Sequence, residues 1–283
     1  MTQYILTLSC DDKPGIVAAV TGFLFNANMN IAESNQFGDP DTGRFFMRVG
    51  FTSTDKNGDL ESLHSDFTAI AEPFGMQWQI HDIFEKTRAI VMVSKFDHCL
   101  VDLLYRCRTD MLKMDIVAVV SNHEMTRHLV EREGIPFYYR PVTADTKAAA
   151  EAELETLIGE HDGNLIILAR YMQILSEDFA DRHAGQIINI HHSFLPSFKG
   201  SVPYSQAYNR GVKMIGATAH YVTASLDEGP IISQHVAPVR HDMTVNDLVK
   251  TGHEIEQSVL ARAVAAHTEH RILLNKQKTV VFD

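Results

Sequence analysis

Residues 88–120 read RAIVMVSKFDHCLVDLLYRCRTDMLKMDIVAVV, and their pattern decides the architecture of most of the chain. Ala89–Val93 and Ile116–Val120 are short, continuous, β-rich apolar runs, the signature of strands buried on both faces. Strands over 88–94 and 114–120 with a helix over 97–107 between them make one parallel crossover. The alternation continues, with strands expected near 135–140, 164–168 and 187–190 and helices near 124–133 and 145–160. Leu165-Ile166-Ile167-Leu168 repeats the fully buried run. The fold class is therefore α/β, a Rossmann-like, mainly parallel sheet covered by helices on both faces. Strands over 214–223 and 229–239 flank the turn Asp227-Glu228-Gly229-Pro230 and are expected to pair antiparallel. Thr244 caps a final helix reaching about His267.

Ahead of this lies a different pattern. Residues 4–10 form a strand, followed by Asp11-Asp12-Lys13-Pro14-Gly15 and then Ile16, Val20, Phe23 and Leu24 at helical spacing. An Asp cap with Pro in the first turn marks the helix start. A second strand is expected over Ile31–Gln36 and a third over Arg44–Phe51, where Phe45, Met47, Val49 and Phe51 alternate. Asp59 opens a second amphipathic helix, and a last strand carries Met76, Trp78 and Ile80 on one side. The order is βαββαβ, the ferredoxin-like split pattern. Two domains follow, 1–84 and 88–283, joined by a linker at 85–87.

Composition narrows the partners. In 283 residues, 25 Lys+Arg stand against 36 Asp+Glu, a formal net charge of −11. A surface for nucleic acid or anionic membrane requires clustered Lys and Arg, so neither is expected. No apolar run approaches the ~18 residues of a membrane span. The first residues lack the basic region and small-residue cleavage site of a signal peptide. Cys10, Cys99 and Cys107 are odd in number and show no CxxC spacing, so they read as reduced thiols in a cytoplasmic protein.

The chemistry concentrates in Ile188-Asn189-Ile190-His191-His192-Ser193-Phe194-Leu195-Pro196-Ser197-Phe198-Lys199-Gly200. Asn189 and His191 are two apart at the end of an apolar strand and so point to one face. Ligands of open α/β sheets bind at the carboxyl ends of strands. An amide and an imidazole aimed at one point are equipment for stabilising an oxyanion in acyl transfer. Asp227, in its tight turn, is a carboxylate that could orient an attacking group, take its proton or set the protonation of His191. Each piece also has a plainer reading: Asn-x-His as a loop-stabilising pair, Asp-Glu-Gly-Pro as a turn. The pair His191-His192 stands without HExxH or Cys/His ligand spacing, so no metal is expected.

Asn189 to Gly200 resembles the Asn-x-His signature of the 10-formyltetrahydrofolate-dependent formyltransferases. Ala169-Arg170-Tyr171-Met172-Gln173-Ile174-Leu175-Ser176 is similar to that family's folate-pocket segment. Gly216-Ala217-Thr218-Ala219-His220-Tyr221-Val222 and Leu226-Asp227-Glu228-Gly229-Pro230 resemble its catalytic-Asp segment, with Ala224-Ser225 departing from the more acidic loop of relatives. The resemblance implies Asn189, His191 and Asp227 as catalytic residues and Met172, Leu175 and Val222 as folate-pocket residues. It implies a folate substrate and no metal or redox cofactor. The N-terminal unit resembles an ACT domain through Asp12-Lys13-Pro14-Gly15-Ile16, which implies homo-oligomerisation and a small amino-acid effector near Asp12, Pro14 and Gly15. A plain oligomerisation module without a ligand is the alternative.

The acceptor of the formyl group remains to be chosen. A phosphorylated acceptor needs a phosphate cradle, usually Gly-rich, after the first strand. Here that turn is Ser94-Lys95-Phe96-Asp97-His98, and no glycine occurs from Met76 to Glu133. A tRNA acceptor needs a basic surface, which the −11 charge opposes. Water is left, and the whole chain resembles the hydrolytic, deformylase branch of the family. The implied reaction is hydrolysis of 10-formyltetrahydrofolate to formate and tetrahydrofolate, balancing one-carbon pools and supplying formate for purine biosynthesis. Transfer to an unphosphorylated amine and a non-catalytic amino-acid or folate sensor stay open as alternatives.

Overall fold

The structure, a computed structural model, describes residues 3–53, 60–195 and 203–283. Asp59, expected to cap a helix, and Pro196–Gly200 of the Asn-x-His segment lie outside the described residues. The chain divides into two compact units, 1–86 with 269–283, and 87–268.

In the first unit the elements are β1 (Gln3–Asp11), α1 (Ile16–Asn26), β2 (Met29–Asp39), β3 (Arg44–Ser53), α2 (Leu60–Ala71) and β4 (Gln77–Asp82). The strands form one antiparallel sheet in the order β2-β3-β1-β4, the ferredoxin-like arrangement. Strand alternation sends Phe45, Met47, Val49 and Phe51 to one face, where they meet Leu6 and Leu8 of β1 and Val20, Phe23 and Phe67 of the helices. Trp78 completes this core edge-on to Phe67, with centroids 4.7 Å apart. The start of α1 differs from the expected Asp cap. Gly15 is the cap residue, with φ 98°, and no side chain caps the helix. The left-handed conformation is one glycine adopts freely, so the turn is made by the backbone instead of a carboxylate.

The opposite sheet face accounts for a second difference. The C-terminal segment was expected to belong with 88–283, yet 269–283 groups with the first unit. It forms an antiparallel hairpin, β12 (Ile272–Asn275) with β13 (Lys278–Val281), numbered after the elements of the other unit. Phe46, on the back of β3, is buried against Leu273, Phe282 and Val280. Arg48, on that same face, pairs with Glu33 at 2.8 Å and donates to the carbonyls of Glu269 and His270, each at 3.1 Å. Asn275 Nδ2 donates to the buried Asp39. A large apolar face and a buried guanidinium both need cover, and the hairpin supplies it.

The second unit contains β5 (Thr87–Val93), α3 (His98–Arg108), β6 (Met114–Ser121), α4 (Arg127–Arg132), β7 (Phe137–Tyr139), α5 (Lys147–Glu160) and β8 (Leu165–Leu168). It continues with α6 (Glu177–Arg182), β9 (Ile187–His191), α7 (Pro203–Arg210), β10 (Met214–Tyr221), β11 (Ile231–Pro238) and α8 (Val245–Thr268). The sheet order is β11-β10-β9-β8-β5-β6-β7. Pairs from β9 through β7 are parallel, and β10 is antiparallel to both neighbours. The chain first extends one way from β5, to β6 and β7, then returns to place β8 on the other side. Between β5 and β8 lies the topological switch point, the ligand crevice of such sheets. Thr244 and Asp247 cap α8 reciprocally, Thr244 N donating to Asp247 Oδ2 at 2.8 Å and Asp247 N to Thr244 Oγ1 at 3.3 Å. Helices α6 and α7 were not anticipated; at six and eight residues they show too few turns for periodicity to register. Among the described residues, no helix is long and apolar enough to cross a membrane.

Candidate functional site

The site is built on the paired stretch of β9 and β10. Their antiparallel register sets His220 opposite Asn189 and Thr218 opposite His191, so all four side chains lie on one face. Thr218 then anchors the chain leaving β9. Its hydroxyl donates to Ser193 O at 2.9 Å and accepts from Leu195 N at 3.1 Å and from Gln234 Nε2 at 2.9 Å.

Asp227 arrives from the β10–β11 connection. Its backbone is left-handed, φ 56°, and Tyr221 N donates to Pro230 O at 2.9 Å, drawing the turn back onto the strand end. Gly229 makes this closure possible, because a Cβ there would sit 1.8 Å from Tyr221 O. Gly229→Ala is accordingly expected to displace the turn. Overpacking of this kind costs about 1–3 kcal/mol or more, and kcat should fall with it as Asp227 moves. Thermal unfolding together with steady-state kinetics checks this; native stability and native kcat would contradict it.

In the closed turn Asp227 Oδ1 lies 3.3 Å from His191 Nδ1 and 3.8 Å from His220 Nε2. Burial pushes the Asp227 carboxyl up, but the hydrogen bond from His191 and the nearby imidazoles outweigh it and hold the group below its ordinary range. The carboxylate is thus ionised beside His191. The other nitrogen of that ring, Nε2, is buried and has no partner among the described residues.

His220 fixes the orientation of Asn189. Its Nδ1 faces Tyr221 O at 2.9 Å, so that nitrogen must carry the hydrogen. Burial lowers the His220 pKa and keeps the ring neutral. Its Nε2 therefore accepts, and Asn189 Nδ2 donates to it at 3.2 Å. One amide hydrogen is spent on this bond and the second remains for a ligand.

These groups stand at one end of a pocket of about 490 Å³, a volume typical of small-molecule sites. Met172, Leu175 and Val222 line it, with Ile174 and Leu226 at exposed positions along it. Leu175 and Val222 pack on their other side against the core of the unit. Ser94 ties the pocket wall to the sheet, its hydroxyl accepting from Met172 N at 3.0 Å and donating to Asn122 Oδ1 at 2.7 Å. The structure thus brings Asn189, His191, Asp227, Met172, Leu175 and Val222 around one cavity. Asp12, Pro14 and Gly15 lie in the β1–α1 loop of the other unit, all exposed.

Several groups at the site carried no assigned role in the sequence reading: His220, His192, Arg170 and Glu256. His192 and Arg170 line the pocket although each is only 6% exposed. Arg170 is left-handed, φ 63°, its guanidinium over the Phe96 ring at 5.4 Å. Glu256, fully buried on α8, accepts from Tyr204 Oη and from His98 Nε2 at 2.8 Å, with Arg170 Nε at 3.4 Å. His98, Cys99 and Glu256 present ligand atoms within 4.8 Å of one another. As a metal site the set fits poorly: the carboxylate already serves three partners, the guanidinium repels a cation, and burial raises the Cys99 thiol far above its ordinary range.

The Formyl transferase family model matches residues 87–264, and the ACT domain model matches residues 4–61. A formyltetrahydrofolate deformylase of Corynebacterium sp. (strain P-1) is 48% identical over 279 residues, covering 99% of this chain and 98% of that protein. The crystal structure of a formyltetrahydrofolate deformylase from Pseudomonas syringae pv. tomato superposes with a TM-score of 0.97 at 47% identity, covering 100% of this chain and 95% of the other. Glycinamide ribonucleotide transformylase 1 from Symbiobacterium toebii shares 29% identity and a TM-score of 0.66, covering 70% of this chain and 95% of its own.

Proposed function

The chain belongs to the formyltetrahydrofolate deformylases of the formyl transferase family, and from that premise we propose how its own residues carry the reaction. The enzyme is a hydrolase that converts 10-formyltetrahydrofolate and water to tetrahydrofolate and formate. The observation that carries the assignment of roles is the ionised Asp227 at 3.3 Å from His191 Nδ1, with His191 Nε2 buried and unpartnered at the pocket.

With the folate along Met172, Leu175 and Val222, the formyl group meets the polar end of the cavity. Water forms the C–O bond, the carbonyl electron pair moves onto the formyl oxygen, and one water proton passes to Asp227. The oxyanion takes hydrogen bonds from Asn189 Nδ2 and from the N–H at His191 Nε2. Collapse breaks the C–N10 bond, and N10 receives the proton of His191 Nε2. Asp227 releases its proton to solvent, His191 Nε2 regains one from solvent, and formic acid releases its own.

The N-terminal ACT unit is read as a homo-oligomerisation module that takes a small amino-acid effector at the exposed Asp12, Pro14 and Gly15 loop. The enzyme is read as cytoplasmic, returning formate to purine synthesis, with neither nucleic acid nor membrane among its partners. One assay tests these readings. Purified protein given 10-formyltetrahydrofolate and no acceptor is expected to release formate and tetrahydrofolate in equal amounts, and glycine or methionine to change the rate. Binding without turnover, or formate only when an amine is supplied, would overturn the hydrolytic reading. Identical kinetics with and without amino acids would remove the effector.

A further inference from the structure

The hydrolytic scheme leaves the nucleophile's own place undefined. A water attacking the formyl carbon needs an acceptor that fixes the direction of its lone pair. Asp227 can accept one of its hydrogens, and the second needs another group.

His192 is placed for this. It directly follows His191, with ring centroids 5.0 Å apart and planes at 70°, so the two imidazoles do not point the same way. It lines the pocket, and its Nε2 is buried without a partner among the described residues. A buried polar nitrogen is rarely left unpaired in a native fold, and one at a cavity wall points to a partner inside the cavity. The ring is neutral at physiological pH, because burial and the charge of Arg170 push it down to about 4. A neutral imidazole has one nitrogen free to accept.

Arg170 favours that state and Glu256 opposes it, burial being the larger influence. Arg170 is fixed from several sides: by its left-handed backbone, by Phe96, and by Glu256. Glu256 is fixed in turn by Tyr204 and His98, and His253 stacks on His98 at 3.8 Å. Tyr204 lies so close to α8 that a Cβ on Gly252 would come within 2.1 Å of its Oη. Four elements therefore close on one buried ion pair beside His192. The positive-φ backbone at Arg170 is the kind of strain retained at functional sites.

We propose that His192 is the water-positioning residue of the hydrolysis, its Nε2 accepting a hydrogen bond from the attacking water. This rests on the hydrolytic reading above. His192 takes no proton. The water hydrogen it accepts stays on the new C–O oxygen until formic acid is released, while the other hydrogen goes to Asp227.

The test uses full-length His192→Ala and His192→Asn beside Asn189→Ala, with melting temperatures measured for all. His192→Ala is expected to lower kcat about 10- to 100-fold with KM for the folate unchanged. His192→Asn, whose amide oxygen can accept the same hydrogen bond, should recover part of the loss. Native kcat in His192→Ala would overturn the proposal, as would a loss confined to KM, or an Asn variant no better than Ala at equal stability. If Asn189→Ala is crippled while both His192 variants run normally, only this inference fails. If Asn189→Ala also runs normally, the assignment of the whole site fails.

Discussion

Asp227→Asn is expected to reduce kcat about 10²- to 10⁴-fold, the range that general acid–base groups contribute. The substitution keeps the shape of the side chain and removes its charge. His191 then loses the carboxylate that faces its Nδ1 at 3.3 Å and orients its ring toward the oxyanion and N10. The water loses its proton acceptor at the same time. KM should change little, because the walls formed by Met172, Leu175 and Val222 are untouched. The sign of the pH dependence follows from the same contact. Burial raises the Asp227 carboxyl, the hydrogen bond from His191 and the neighbouring imidazoles outweigh it, and the net pKa is depressed. Its contribution to stability is present above the ordinary carboxylate range and is lost as pH falls through the depressed value. The acid limb it contributes to the rate lies there too, and is expected to vanish in Asp227→Asn. A folded Asp227→Asn with hydrolysis within a few-fold of native would sink the assignment.

Asn189→Ala is expected to lower kcat about 10²- to 10³-fold, the loss seen when one oxyanion donor is removed. His220 sets the orientation of this donor. Because its Nδ1 must donate to Tyr221 O, its Nε2 accepts from Asn189 and the amide cannot turn over. The remaining N–H is held ready, so little reorganisation accompanies the transition state. Asn189→Asp should be at least as damaging, since it offers no N–H and adds a negative charge close to Asp227. Rates from single-turnover experiments at saturating folate measure this directly. If Asn189→Ala lost affinity instead of rate, Asn189 would be a ground-state contact and not an oxyanion donor.

The two active-site variants draw on information of different kinds. Asn189 and His191 were legible together because strand side chains repeat every two residues, and both fall on β9. Asp227 was legible as a turn carboxylate, but its meeting with His191 depends on Gly229 passing within reach of Tyr221 O. His220 lay within a quoted segment and had no role, because only the β9–β10 register sets it against Asn189. Nothing in local periodicity announces which strand pairs with which.

Local pattern determined the two fold classes. Continuous apolar runs with intervening helices required a covered parallel sheet, and alternating residues such as Phe45, Met47, Val49 and Phe51 required a sheet with one face on a helical core. Tertiary structure alone decided where the last residues belong and what surrounds the chemistry. The hairpin 269–283 covers Phe46 and Arg48, more than 220 positions earlier in the chain. Glu256 is buried on α8 and reaches His98, Tyr204 and Arg170 from three other parts of the unit. The physical reason is the same in both cases. A period of two or 3.6 residues reports which face of one element is buried, whereas a buried charge must find its partner across the fold, at a sequence separation that no local period records.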